Sequence, residues 1–119
     1  MNHTVLVVED ELELRELMQE ALELSGYLVV TAADGQEALD ALPRIDNLCL
    51  VLLDLLMPRM NGWDFFQRMR ANPKLANVPV IVHSSEPAEA PDGVTRVLQK
   101  PVALERLLSV VQEYCARAS

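Results

Sequence analysis

The chain has 119 residues, half of them hydrophobic, and a formal net charge of −8. That length and apolar content suit one domain with a real core, and the acidic balance argues against nucleic-acid binding by this chain alone, because neutralising phosphates requires a basic surface. No apolar run approaches the roughly 18 residues that span a membrane, and Cys49 and Cys115 stand apart without a CxxC, which reads as two reduced core residues of a soluble cytoplasmic protein.

Thr4–Val8 is a short β-branched run that ends in Glu9 and Asp10. A helical pattern follows, with Leu14, Leu17, Met18, Ala21 and Leu24 at i, i+3, i+4 spacing and Gly26 as its stop. Tyr27–Thr31 reads as a second strand. Asp34 and Glu37 form a capping box for a helix that runs to Leu42 before Pro43 ends it. Residues 48–54 are a third strand, and Asn61 caps a helix anchored by Trp63, Phe66 and Met69. Pro79–His83 and Thr95–Gln99 are the fourth and fifth strands. The last helix puts Leu104, Leu107, Leu108, Val111 and Cys115 on one stripe. Val110 and Tyr114 lie beside it, either as a contact surface for a homodimer or as cover for the core edge.

Strands alternating with helices of this length predict an α/β domain: a parallel sheet covered on both faces through right-handed crossovers, filling residues 1–119. The fourth crossover departs from that pattern. Pro87 can open a helix, but Pro91 disfavours helical geometry at Ala90, so about one turn fits at most and the crossover helix is short or missing.

A carboxylate, Asp54, sits within the otherwise apolar stretch 48–57. A strand of that composition is buried on both faces, where an unpaired charge costs several kcal/mol. In an open parallel sheet, ligands bind outside the carboxyl ends of the strands. Those ends carry Glu9 and Asp10, Asp54, Ser84, and Lys100. Three clustered carboxylates repel one another and are relieved by protonation or by a cation. Oxygen donors with open positions suit a hard ion, Mg²⁺ above all. Lys100 and the Ser84 hydroxyl then complete a place for a phosphoryl group.

The stretches VLVVEDE (5–11), AADGQEAL (32–39), LVLLDLLMPRMNGWDFF (50–66), VPVIVHSS (78–85) and QKP (99–101) resemble, in order and spacing, the receiver domains of two-component response regulators, of the single-domain CheY-like kind. The D-x-x-M-P-x-M-N-G run from Asp54 to Gly62 is the most specific of them. The resemblance implies a doubly wound five-stranded parallel sheet in the order 2-1-3-4-5. It also implies a phosphoacceptor switch: Asp54 takes a phosphoryl group from a histidine kinase or histidine phosphotransfer protein, with Mg²⁺ as cofactor. By the same carry-over Asp10 is a direct metal ligand, Glu9 holds metal-bound water, and the Leu56 carbonyl is a further ligand. Ser84 hydrogen-bonds the phosphoryl group, Lys100 pairs with one of its oxygens, and the Lys100–Pro101 peptide is cis. Such a protein is not a conventional enzyme; it catalyses its own phosphorylation and slow autodephosphorylation, and its phosphorylated state alters contact with a downstream target protein. It needs neither nucleic acid nor membrane directly.

One position departs from the family. The switch aromatic belongs three residues before Lys100, where this chain has Val97. With the missing crossover helix, this moves the expected readout toward the last helix or the loop 85–93. Two competing functions follow from the residues. A haloacid-dehalogenase-type phosphatase also uses an aspartyl-phosphate, but it needs a second Asp where this chain has Leu56. A pseudo-receiver scaffold acting without phosphorylation is the alternative; the complete set Asp54, Asp10, Ser84 and Lys100 counts against it. His83 reads as a packing residue, and Trp63 as a helix anchor close to Asp54.

Overall fold

The computed structural model describes residues 3–57, 60–86 and 89–115. Its strands are β1 (Thr4–Val8), β2 (Leu28–Ala32), β3 (Leu48–Leu53), β4 (Val80–Ser84) and β5 (Arg96–Gln99). Its helices are α1 (Leu12–Leu24), α2 (Gly35–Ala41), α3 (Gly62–Arg70) and α4 (Leu104–Tyr114). All strand pairs are parallel, in the order β2-β1-β3-β4-β5. This is the doubly wound sheet expected from the sequence.

The continuous apolar runs follow from that arrangement. β1 and β4 are buried along their whole length, because helices cover both faces of the central sheet. Val5, Val7, Leu50, Leu52 and Ile81 point to the core under α1 and α4. Leu6, Val8, Val51, Leu53, Val80 and Val82 point to the core under α2 and α3. β2 lies at the sheet edge, and Leu28 there is half exposed.

Strand limits differ from the sequence reading by a residue at several ends: β2 and β4 sit one position later, and β3 stops at Leu53 so that Asp54 lies just beyond it. Pro43 does not end the helical path. It opens a 3-10 turn, Leu42–Arg44, whose first positions need no backbone donor. Asp34 caps α2 as expected, accepting from the Glu37 amide at 2.9 Å, and Glu37 reaches back to the Ala33 amide at 3.0 Å.

One helix stripe needs correction, and one alternative is decided. In α1 the buried residues are Met18 and Leu22, while Leu17 and Leu24 are 50% and 83% exposed. Alternating Leu and Glu offers two overlapping stripes, and the sheet contact selects the row through Leu14, Met18 and Leu22 at i, i+4, i+8 spacing. In α4, Val110 is fully buried and belongs to the core, not to a contact surface.

The cysteines also depart from expectation. Cys49 and Cys115 are not separate reduced side chains but a disulfide, with Cα atoms 5.5 Å apart across 66 positions of sequence. Sequence separation hid a pairing that the packing of α4 on β3 creates.

Among the described residues the fourth crossover holds no α-helix, as expected; Pro87 lies outside the described residues. The Glu89 amide bonds back to the Glu86 carbonyl at 3.1 Å. Side chains of α3 hold the loop in place of a helix's own ladder. Trp63 Nε1 donates to the Glu89 carbonyl at 2.6 Å, and Arg70 donates to the carbonyls of Ala76 and of Gly93, the latter at 3.1 Å. The Arg70 guanidinium lies 4.8 Å from the centroid of the Phe66 ring.

The corrected stripe of α1 is testable by urea unfolding. Leu22→Ala should cost about 2–5 kcal/mol, and Leu24→Ala should change stability by less than about 0.5 kcal/mol. Equal effects would restore the stripe read from the sequence.

Candidate functional site

Parallel strands all deliver their carboxyl ends to one rim. Glu9 and Asp10 follow β1, Asp54 follows β3, Ser84 ends β4 and Lys100 follows β5. The ladder continues just past the strands and fixes this rim: the Glu9 amide bonds to Ala32, the Asp54 amide to Val8, and the Lys100 amide to Ser84, at 2.9–3.0 Å. Glu9, Asp10, Asp54, Ser84 and Lys100 are therefore on one edge, while Val97 lies within β5, beside Val82, and not at the rim.

Lys100 links the carboxylates. Its Nζ lies 2.8 Å from Glu9 Oε1 and 3.4 Å from Asp54 Oδ2. Its closer partner is Glu9, a pairing that the residue types alone did not indicate. Glu9 is fully buried and Asp54 nearly so, while Asp10 is exposed. Glu9 Oε2 also accepts from the Glu11 amide at 3.1 Å. Ser84 is buried, and its Oγ accepts from the Glu86 amide at 3.0 Å. Leu56 is half exposed on the loop after Asp54, Val97 packs against the core under α3, and the Lys100–Pro101 peptide is cis.

The electrostatics follow from burial. Removal from water pushes the Glu9 carboxyl up to about 7, against the hydrogen bond from Lys100. Burial likewise raises Asp54; Lys100 opposes this and Asp10 adds to it. For Lys100, burial works against the ammonium, but Glu9 and Asp54 outweigh it and raise its pKa. His83 is buried beside Glu9, its Nδ1 3.5 Å from Glu9 Oε1, and burial lowers its pKa to about 3. It is a neutral packing residue, as the sequence suggested.

Carboxylate oxygens of Glu9, Asp10 and Asp54 lie within 4.8 Å of one another. Three acidic groups face one ammonium here, so the donor set is oxygen-only and under-compensated. That fits a hard divalent cation with retained waters.

Three contributors escaped the sequence reading. A Cβ on Gly62 would stand 2.6 Å from the Asp54 carbonyl, and one on Gly35 2.6 Å from the Met60 carbonyl, so both glycines let backbone close around the loop beyond Asp54. Gly62 was visible only as a motif letter. Arg15 donates to the carbonyls of Glu9, at 2.9 Å, and Asp10, at 3.4 Å. Its signal was its place on the first turns of the helix that follows the acidic pair.

Comparison with known proteins agrees with this geometry. The chain is 39% identical over 85 residues to the transcriptional regulatory protein CpxR of Escherichia coli K12, covering 71% of this chain and 34% of that protein. It thus spans about a third of the length of such curated relatives. The chemotaxis protein CheY4 of Vibrio cholerae superposes with a TM-score of 0.85 at 30% identity, covering 96% of this chain and 99% of that one. A response regulator receiver protein from Pseudomonas putida gives 0.86 at 33% identity, covering 95% and 98%. The family model for the response regulator receiver domain matches residues 5–112. The strand order, the acidic rim with its lysine, and this match over most of the chain agree: the chain belongs to the response regulator receiver domain family.

Proposed function

We propose that residues 1–119 act as one receiver domain whose Asp54 is the phosphoacceptor, phosphorylated from a histidine kinase or histidine phosphotransfer protein in the cytoplasm. The observation that carries this reading is the convergence of Asp54, Glu9 and Asp10 with Lys100 at the carboxyl edge of the central strands. No helix among the described residues is long and apolar enough to cross a membrane.

The chemistry is a displacement at phosphorus. An oxygen of ionised Asp54 forms the new O–P bond as the P–N bond to the donor histidine breaks, and the electron pair leaves with the imidazole. Such transfer needs alignment and charge neutralisation more than covalent help. Lys100 lies close enough to Asp54 to turn from Glu9 toward a new phosphoryl oxygen. Ser84 exchanges its bond from the Glu86 amide for one donated to the phosphoryl group. Asp10, Asp54, Glu9 and the Leu56 carbonyl would hold Mg²⁺, which supplies neutralisation of the oxygens at phosphorus. Leu56 supplies no general acid, which disfavours the phosphatase reading.

Val97 and a fourth crossover without an α-helix among the described residues set this chain's output apart. With no aromatic at position 97, displacement of Ser84 has no bulky rotor to drive. The phosphorylated state is read instead through the loop from Ser85 to Gly93, whose Glu86 amide bonds Ser84 directly and whose Glu89 carbonyl is held by Trp63. The target is a protein; the net charge of −8 supports contact without direct nucleic-acid binding.

Intact-mass measurement with a small acyl phosphate and Mg²⁺ tests the phosphoacceptor. The wild type should gain one phosphoryl group and Asp54→Asn none; no gain in the wild type would favour the scaffold reading. A second expectation concerns acidity. Glu9 has a folded-state pKa raised from 4.5 to about 7, so its contribution to stability is fully present below 4.5 and is lost as pH rises through about 7. His83, lowered from 6.5 to about 3, has the opposite sign: its contribution is present above 6.5 and lost as pH falls toward 3. In chelator, thermal denaturation should therefore show the wild type losing stability relative to Glu9→Gln between about pH 4.5 and 7, by on the order of 2–3 kcal/mol. Saturating Mg²⁺ should shrink that loss. A pH-independent difference between the two proteins would remove Glu9 from the charged cluster.

A further inference from the structure

The opposite end of the sheet carries a second group of ligating side chains. His3 directly precedes β1, Cys49 is the second residue of β3, and Cys115 directly follows α4. An imidazole nitrogen and both sulfurs lie within 4.8 Å of one another. None of the three takes part in the chemistry at Asp54.

Local structure aims them together. The β1–β3 register slips between Thr4 and Val5, which pair with Leu48 and Leu50, so Cys49 is an inserted, bulged residue. A bulge re-aims side chains, and here Cys49 and its neighbour Leu50 both pack against the core under α4 instead of alternating. Backbone bonds hold the other two. The Leu28 amide donates to the His3 carbonyl at 3.0 Å, Tyr27 Oη to the Cys115 carbonyl at 3.2 Å, and the Cys115 amide to Val111 at 2.7 Å. These restraints are independent of the bond between the sulfurs.

In a reducing compartment a disulfide is the less stable state of such a pair. We propose that in the reduced chain Cys49, Cys115 and His3 form a second metal site, for Zn²⁺, separate from the carboxylate rim. Two thiolates and an imidazole suit this ion and are poor ligands for Mg²⁺. Three protein donors leave one position for water. A tetrahedral ion about 2.3 Å from each sulfur sets the sulfurs roughly 3.8 Å apart, so metal and disulfide are mutually exclusive. A cellular thiol reductant supplies two electrons and two protons to break the S–S bond and leaves as its own disulfide. Zn²⁺ then displaces the two thiol protons, and neutral His3 donates a lone pair. Either state ties the end of α4 to β3.

Co²⁺ replaces Zn²⁺ as a probe, because thiolate-to-cobalt charge transfer in the near ultraviolet reports sulfur ligands only and ignores ions at the carboxylate rim. With excess Mg²⁺ present, the reduced full chain should develop this band with one equivalent of Co²⁺ and lose it on adding Zn²⁺. The oxidised chain should show none. Cys49→Ser should abolish the band. His3→Ala, at the half-buried start of a strand, leaves the core intact and should weaken binding roughly tenfold or more. No band in the reduced chain, or unchanged affinity in folded His3→Ala, would overturn the site.

Discussion

The structure depends on how Lys100 holds two buried carboxylates. Glu9 and Asp54 lie at the top of a core that is apolar on both faces, where isolated charges are costly. One ammonium contacting Glu9 at 2.8 Å and Asp54 at 3.4 Å offsets part of that cost but cannot offset all of it. Burial still raises both acids, and exposed Asp10 adds charge nearby. The residual imbalance leaves three acidic groups facing one ammonium, with Asp54 in a partly dry setting. An inert core would instead be better served by apolar residues at these positions.

Everything around that cluster serves to present it. The parallel sheet collects four strand ends on one edge, and hydrogen bonds one residue past the strands keep Glu9, Asp54 and Lys100 in register. Gly62 and Gly35 allow the chain beyond Asp54 to close against neighbouring backbone. On the flank of β4 and β5, Trp63 and Arg70 hold loop carbonyls directly. Ser84 then touches a loop whose Glu89 carbonyl is fastened to α3 by Trp63.

Periodicity made the framework readable. Strands buried on both faces and helices with caps left plain marks: the β-branched run before Glu9, the Asp34 cap, the Asn61 cap whose Oδ1 accepts from the Asp64 amide at 3.0 Å. The short fourth crossover was legible because proline limits backbone geometry whatever surrounds it. The acidic rim was legible because strand ends in a parallel sheet must share an edge. The failures share another cause. Leu17 and Leu24 fit a helical stripe as well as Leu22 does; only contact with the sheet distinguishes them.

The sequence by itself determined the alternation of elements, the parallel sheet, and which chemical groups meet at its carboxyl edge, because these follow from local period and chain direction. Tertiary structure alone decided that Lys100 sits closer to Glu9 than to Asp54, that Arg15 braces the acidic pair, and that Cys49 and Cys115 meet. Each joins side chains from separate elements, at distances set by how helices settle on a twisted sheet and where a bulge turns a strand. Local sequence carries no record of those distances.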